Sequence, residues 1–376
     1  MRVAAATISR LATRAPTALK PRSLGPPACS LATSAGVILL LASTEDAASV
    51  AQHRALLDRG GWAPLPPPAA GTQAWASGDV RMWLLDEGFL HQDDVDKRWV
   101  AAGGERPSEL IFLSRHAAAS GKPCLTVHPI GVADLHASAE TLERGGGRAG
   151  TLPPPARRLA PLWRRLCALK KSDALPAGFD VSLEATHHGP VVTTPACFVE
   201  IGSTEAEWDN AEAAAALAGV ISSELAPQLR SGEEQGEEDD DADQDVWVLI
   251  GGGHYQPKAG DLARKKGARL GHCLASYAVG FASPPADDDD DGSGSGNGSI
   301  DPAMASLVDG GGAHAIREAV RASREAWGCG EGDEGGDRGG ARAVVRCQVD
   351  KKAFSAPRRD AICRLLEADG VAYRVK

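Results

Sequence analysis

Residues 183–202, LEATHHGPVVTTPACFVEIG, constrain this chain more than any other stretch. Two carboxylates, Glu184 and Glu200, two adjacent histidines, His187 and His188, and two hydroxyls, Thr193 and Thr194, stand in two short apolar runs joined at Gly189-Pro190. The β-prone residues and the break predict strand, turn and strand. Period-2 alternation then puts Glu184, Thr186 and His188 on one face, with Ala185 and His187 on the other. Buried charge is costly unless paired or bound to a metal, so this face points to a chemical task. The plainer alternative is a histidine pair satisfied by backbone and carboxylate partners, without metal.

A chain of 376 residues with 43% hydrophobic content can bury a full-sized core as one large domain or two ordinary ones. Its longest strongly apolar run, 37–42, is too short to cross a bilayer and reads as a buried first strand. The net charge of -10 is concentrated in three low-complexity segments, 231–245, 284–301 and 328–341, expected to be disordered insertions. Setting these and the leader aside leaves a mildly basic body, which permits a nucleic-acid partner without demanding one. The eight cysteines form no CxxC pair and are expected to be free thiols in a reducing compartment. Residues 1–34 hold five basic residues and no acidic one, the composition of an organellar (mitochondrial or chloroplast) transit peptide; the alternative is an extension without an address.

From residue 35 onward, strands and helices alternate as in an α/β fold. Strands are expected at 37–42, 80–85, 109–113, 124–128, 246–250 and 343–349. Helices are expected after Ser43 or Thr44, which would cap the first, and over 157–171, after a Thr204/Glu207 capping box, over 313–327 and over 358–368. The 157–171 helix interleaves six basic residues with Leu and Trp; it would either track phosphates or present a solvated charged face. His128 stands at a strand end, where ligands of α/β proteins gather, although a lone histidine is more often structural. Strand 246–250 runs into Gly251-Gly252-Gly253-His254, then Lys258, Lys265 and Lys266. Such glycines expose amide N–H groups and let a ligand approach the backbone. The spacing is that of neither a P-loop nor a dinucleotide fingerprint.

The ordered segments SRHAAASGKPCLTVHPIG, LEATHHGPVVTTPACFVEIGSTEAEW, IGGGHYQPK, GHCLASYA and VDKKAF make the chain resemble the D-aminoacyl-tRNA deacylase family of archaea and plants. One departure is the turn after His128, where a TGN-like sequence is expected and Pro129-Ile130-Gly131-Val132 stands. The resemblance implies a three-layer α/β/α sandwich on a mixed sheet, similar to the phosphorylase/peptidyl-tRNA hydrolase architecture. It also implies zinc-dependent hydrolysis of the ester between a D-amino acid and the 3'-terminal ribose of tRNA, and in plants a link to aldehyde-modified aminoacyl-tRNA.

On chemistry, Glu184, His188 and His254 are the first choices as zinc ligands, with His187, Glu200 and His128 next; an unligated carboxylate among them would be the general base. Thr193 joins Glu184, His187, His188 and His254 as a catalytic candidate. The Gly251, Gly252 and Gly253 amides would hold the oxyanion or the terminal phosphate. Lys258, Lys265, Lys266, Lys351 and Lys352 would contact the tRNA backbone. The expected partner is D-aminoacyl-tRNA, with no DNA and no membrane, bound by a monomer. A zinc peptidase, a nucleoside phosphorylase or a non-catalytic tRNA-binding protein are the alternatives, since fold does not fix function.

Overall fold

The computed structural model describes residues 36–229, 245–282, 301–329 and 344–376. The leader and nearly all of the three expected insertions lie outside the described residues. The inner margins of the insertions fall within them and have definite tasks. Asp301 caps the helix Pro302–Asp309 by accepting from Ala303 N and Met304 N, and Gly328 closes the helix Gly312–Trp327 in a left-handed conformation.

Among the described residues, twelve strands form two sheets. The larger contains β1 (Val37–Ser43), β2 (Ala63–Leu65), β3 (Gln73–Ser77), β4 (Val80–Leu85), β5 (Pro107–Arg115), β6 (Cys124–Pro129), β7 (Asp180–Leu183) and β8 (Ala196–Gly202), in the order β2-β3-β4-β1-β5-β8-β6-β7. It is mixed: β1 pairs in parallel with β4 and β5, and β5 with β8, whereas β6 runs antiparallel to β8. Every residue of β1 is buried, as a continuous apolar run predicts for a strand covered on both faces. The smaller sheet is all parallel, with β9 (Val246–Ile250), β10 (Arg269–Leu274), β11 (Val345–Val349) and β12 (Tyr373–Val375) in the order β10-β9-β11-β12.

Helices cover both faces of the large sheet, giving the expected sandwich. Leu40, Ile111, Leu113, Val127 and Val199 face the helices Ala47–Asp58, Leu159–Lys171 and Ala211–Glu224, while Leu41, Phe112 and Phe198 face Trp99 of the helix Val95–Ala101. Alternation along β9 joins the second sheet to this core. Trwo of its side chains, Trp247 and Leu249, pack into the large sheet's core, and Val246, Val248 and Ile250 face the helices Gly312–Trp327 and Ala356–Ala368.

Three sequence expectations change. The first helix is capped by Asp46, not Ser43 or Thr44: its Oδ1 accepts from Ser49 N, and its Oδ2 accepts from Arg115 N at 3.0 Å, tying the helix to the end of β5. The basic helix Leu159–Lys171 is largely committed internally: Arg158 pairs with Glu109, Arg165 with Glu224 and Lys170 with Asp180, and Arg164 donates to Ala263 O. The pair of strands expected at 183–202 is not a hairpin. β7 and β8 both pair with β6, and residues 185–195 are irregular.

Thr186 shows why the alternation fails there. Instead of sharing a face with Glu184, its hydroxyl accepts from Cys273 N at 3.0 Å and donates to His272 Nδ1 at 3.0 Å, while His272 Nε2 donates to Pro153 O at 3.0 Å. This chain of bonds anchors the irregular segment to β10. Burial holds His272 down to about 4, despite the opposing Pro153 carbonyl. The native state therefore resists protonation that the unfolded state accepts from about pH 6.5 downward, and stability is lost as pH falls from there toward 4. Urea unfolding across this window is expected to show a His272 contribution of up to about 1.4 kcal/mol per pH unit, which disappears from the slope in His272→Gln.

Candidate active site

The register of three strands builds the floor of the site. Ser114 on β5 and Thr126 on β6 both stand opposite Glu200 on β8, and period 2 carries the same face on to His116 and His128. Farther along that face the residues are apolar. Phe112 stacks on Phe198 at 4.7 Å between centroids, and His128 lies parallel to Phe198 at 5.3 Å. Glu184, just past β7, and His187 and His188 of the irregular segment close one side, and His254 arrives from the loop after β9.

Seven ionisable side chains thus meet. His116 Nδ1 lies 3.3 Å from both Glu184 Oε1 and Glu200 Oε2, His128 Nε2 lies 3.5 Å from Glu200 Oε1, and His254 Nε2 lies 3.4 Å from Glu184 Oε2. His187 Nε2 is 3.8 Å from Glu184 Oε2, and its ring lies 4.0 Å from that of His128. Glu184 and His128 are fully enclosed, and Glu200 is 1% exposed.

Backbone carbonyls fix two tautomers. His128 Nδ1 faces Pro129 O at 3.0 Å and His187 Nδ1 faces Ala185 O at 2.8 Å, so each Nδ1 carries a proton; the neutral His187 ring turns a bare Nε2 lone pair toward Glu184, and His128 Nε2 faces Glu200 Oε1. At His187 an acceptor then meets an acceptor. His128 Nε2, both oxygens of Glu184, Glu200 Oε1 and His188 Nδ1 are buried without a hydrogen-bond partner. A cation would satisfy them, whether the second proton that Glu200 favours on His128 or a metal ion, and three overlapping sets have donor atoms close enough to hold a metal: His128, His187 and His188; His116, Glu184 and His254; and His128, Glu184 and Glu200.

The electrostatics divide the imidazoles. Burial opposes charge on both His128 and Glu200, but their mutual attraction prevails, raising the imidazole and depressing the carboxyl. His116 is likewise raised, burial being outweighed by Glu200 and Glu184. His188 is held down to about 3 and His187 far below its ordinary value, by burial first and then by neighbouring histidines. The last two stay neutral at physiological pH, as metal ligands must.

The structure brings together Glu184, Glu200, His128, His187, His188 and His254. His116 is an addition that sequence reasoning missed; the signal was its place at the end of β5, two residues beyond the partner of Glu200. Thr193 does not join them. Its N–H and hydroxyl, and those of Thr194, all donate to Asp96 Oδ2 at 2.8 to 3.0 Å, anchoring the segment before β8.

Gly251 is also corrected as an oxyanion donor, because its N–H donates to Leu274 O at 2.8 Å. The Gly252 and Gly253 amides have no partner among the described residues. Lys258 is held by Asp350 and the Lys376 carbonyl, whereas Lys265, Lys266, Lys351 and Lys352 are exposed. In the departing turn after His128, Gly131 N donates to His188 O at 2.7 Å, so the turn's own backbone is tied to the cluster.

A helix-covered mixed sheet with a buried histidine–carboxylate centre defines an α/β enzyme whose donors suit a metal. Residues 103–325, more than half of the chain, match the family described as D-aminoacyl-tRNA deacylase. A D-aminoacyl-tRNA deacylase of Arabidopsis thaliana is 38% identical over 251 residues, covering 66% of this chain and 77% of that protein. One from Halorubrum lacusprofundi is 30% identical over 271 residues, 66% of this chain and 52% of that longer protein, so the chain spans about half of its length. A crystal structure of a conserved protein of unknown function shares the fold, with a TM-score of 0.64 at 20% identity over 90% of this chain and 95% of that one. The chain belongs to the D-aminoacyl-tRNA deacylase family.

The Asp96 anchor separates stability from chemistry. Asp96→Ala is expected to lower stability by about 3 kcal/mol, since donors to a buried carboxylate lose their acceptor, as read by urea denaturation. Thr193→Val should leave divalent-metal binding unchanged in calorimetry.

Proposed function

We propose that this protein hydrolyses the ester joining a D-amino acid to the 3'-terminal ribose of tRNA, with the His/Glu cluster as its reacting centre. Family membership supports the substrate class. The observation that carries the site is the set of buried imidazole nitrogens and carboxylate oxygens that meet without a hydrogen-bond partner. Such a set suits zinc, which prefers imidazole and carboxylate and when bound lowers the pKa of a water to about 7 and polarises an ester carbonyl.

The side chains divide the work. Glu184, with both oxygens lacking a donor, and His254, His187, His188 and His128 are the candidate ligands. Glu200 accepts from Thr126 Oγ1 at 3.1 Å and lies against His116 and His128, so its first task is to orient these rings. A carboxylate oxygen left off the metal accepts the proton of the attacking water. The Gly252 and Gly253 amides are the proposed donors to negative charge on the substrate. Lys265, Lys266, Lys351 and Lys352 are the proposed contacts for the tRNA backbone. In the same reading the protein acts as a monomer, and residues 1–34 address it to an organelle. A reporter carrying roughly the first 40 residues is expected to localise to that organelle with its leader cleaved; diffuse fluorescence of an uncleaved fusion would refute the address.

Matched D- and L-tyrosyl-tRNA provide the main test. Hydrolysis is expected to favour the D-ester strongly, to stop with chelator and to return with zinc. His188→Ala and His254→Ala should lose metal and roughly a hundredfold or more in kcat/KM, since losing a ligand costs more than the roughly 10- to 100-fold lost with a group that only orients one, while still binding tRNA. Lys265→Ala with Lys266→Ala should weaken tRNA binding and flatten its salt dependence, leaving the rate at saturation little changed. Active histidine variants alongside a metal-free wild type would sink the zinc mechanism. Indifference of the wild type to D-tyrosyl-tRNA would sink the substrate.

A further inference from the structure

Beside the cluster lies a cavity of about 160 Å³, formed by Ile250 to Gly253 and the following Tyr255 and Gln256 together with Gln348 and Asp350 at the end of β11. That is well below the several hundred Å³ of a site for a whole drug-sized ligand, so it suits a single flat ring system. Tyr255 belongs to both the cavity and the centre. Its hydroxyl is 3.5 Å from His116 Nε2, its ring lies edge-on to His254 at 5.2 Å, and 40% of the residue is exposed. Whatever enters this cavity sits next to the reacting atoms.

The polar groups of the wall are specific. Gln256 Nε2 donates to Gly251 O and Gly253 O, which leaves its Oε1 as an acceptor without a partner among the described residues. Gln348 is held the other way round: its Oε1 accepts from Arg374 Nε at 2.8 Å, leaving its Nε2 as a donor. One acceptor and one donor on nearly buried glutamines complement the amino group and ring nitrogen on an edge of adenine. Gly253 leaves the approach clear, since a Cβ there would meet nothing within 4 Å.

We propose that this cavity seats the base of the substrate's 3'-terminal adenosine, with Tyr255 against the ring and Gln256 and Gln348 on its edge. The proposal rests on the deacylase reading above, in which the ester is carried by the ribose of that same nucleoside. It adds a base-reading subsite to a centre that otherwise touches only the ester.

Adenosine, purine riboside and cytidine, titrated by calorimetry into the full-length zinc-loaded protein, test it directly. Adenosine is expected to bind roughly tenfold or more tighter than cytidine, with purine riboside, which lacks the amino group, between them. Tyr255→Leu should cost roughly tenfold through lost stacking, and Tyr255→Phe little. Gln348→Met should remove the preference for adenosine over purine riboside, with urea midpoints confirming that each variant is folded. Deacylation of a D-tyrosyl acceptor-stem RNA ending in A should exceed that of one ending in C, mainly through KM. Equal binding of adenosine and cytidine, or hydrolysis indifferent to the terminal base, overturns the subsite while leaving the deacylase reading standing. Selective adenosine binding without any hydrolysis of D-tyrosyl-RNA would keep the subsite and overturn that reading.

Discussion

Two carboxylates enclosed among five imidazoles set the terms for the rest of this structure. An ionised carboxylate taken out of water is destabilised by several kcal/mol even after relaxation, and removing a partner from such a site leaves that penalty uncompensated. The side chains of Glu184 and Glu200 are both enclosed. Their neighbours accordingly come from four directions: His116 beyond β5, His128 on β6, His187 and His188 from the irregular segment, and His254 from the second sheet. The irregularity of residues 185–195 follows from the same demand. A regular strand would have sent His187 to the face opposite Glu184, whereas the observed path brings both to one centre.

Holding that path in place uses polar groups that take no part in the centre. Asp96 gathers the N–H groups and hydroxyls of Thr193 and Thr194, Thr186 is bound into the Cys273–His272–Pro153 chain, and Gly131 fixes the carbonyl of His188. These anchors stand behind the clustered histidines and carboxylates and limit how far any of them can shift. Similar logic applies to Asp46, which secures the end of β5 one residue before His116.

Much of this was legible in the sequence, for identifiable reasons. β1, β6 and β9 are short apolar runs bounded by polar or glycine-rich turns, and such runs state their own conformation. The residues of the cluster could be nominated because His and Glu are conspicuous between β-prone neighbours. Their geometry could not, because it depends on cross-strand register and on an irregular segment whose hydrogen bonds go to residues up to 98 positions away. The hydroxyls of Thr186 and Thr193 illustrate the difficulty: in sequence they look alike and stand near the histidines, yet one binds β10 and the other Asp96. The second sheet was hidden for another reason. β9 pairs with β11, almost a hundred residues later, and no local pattern announces that partnership.

That same pairing has a bearing on the order in which the protein comes into being. All seven side chains of the centre have been synthesised once residue 254 is added, but the loop that presents His254 still lacks its neighbour. Gly251 is packed so closely against Asp350 and Ala353 that a Cβ at that position would fall 2.8 and 2.7 Å from theirs, and Gly251 lies in the left-handed region that admits this approach. The last thirty residues therefore act as a keystone for chemistry they do not perform. A growing chain carries every residue of the cluster well before it can hold them in place, and the assembled centre depends on the segment made last.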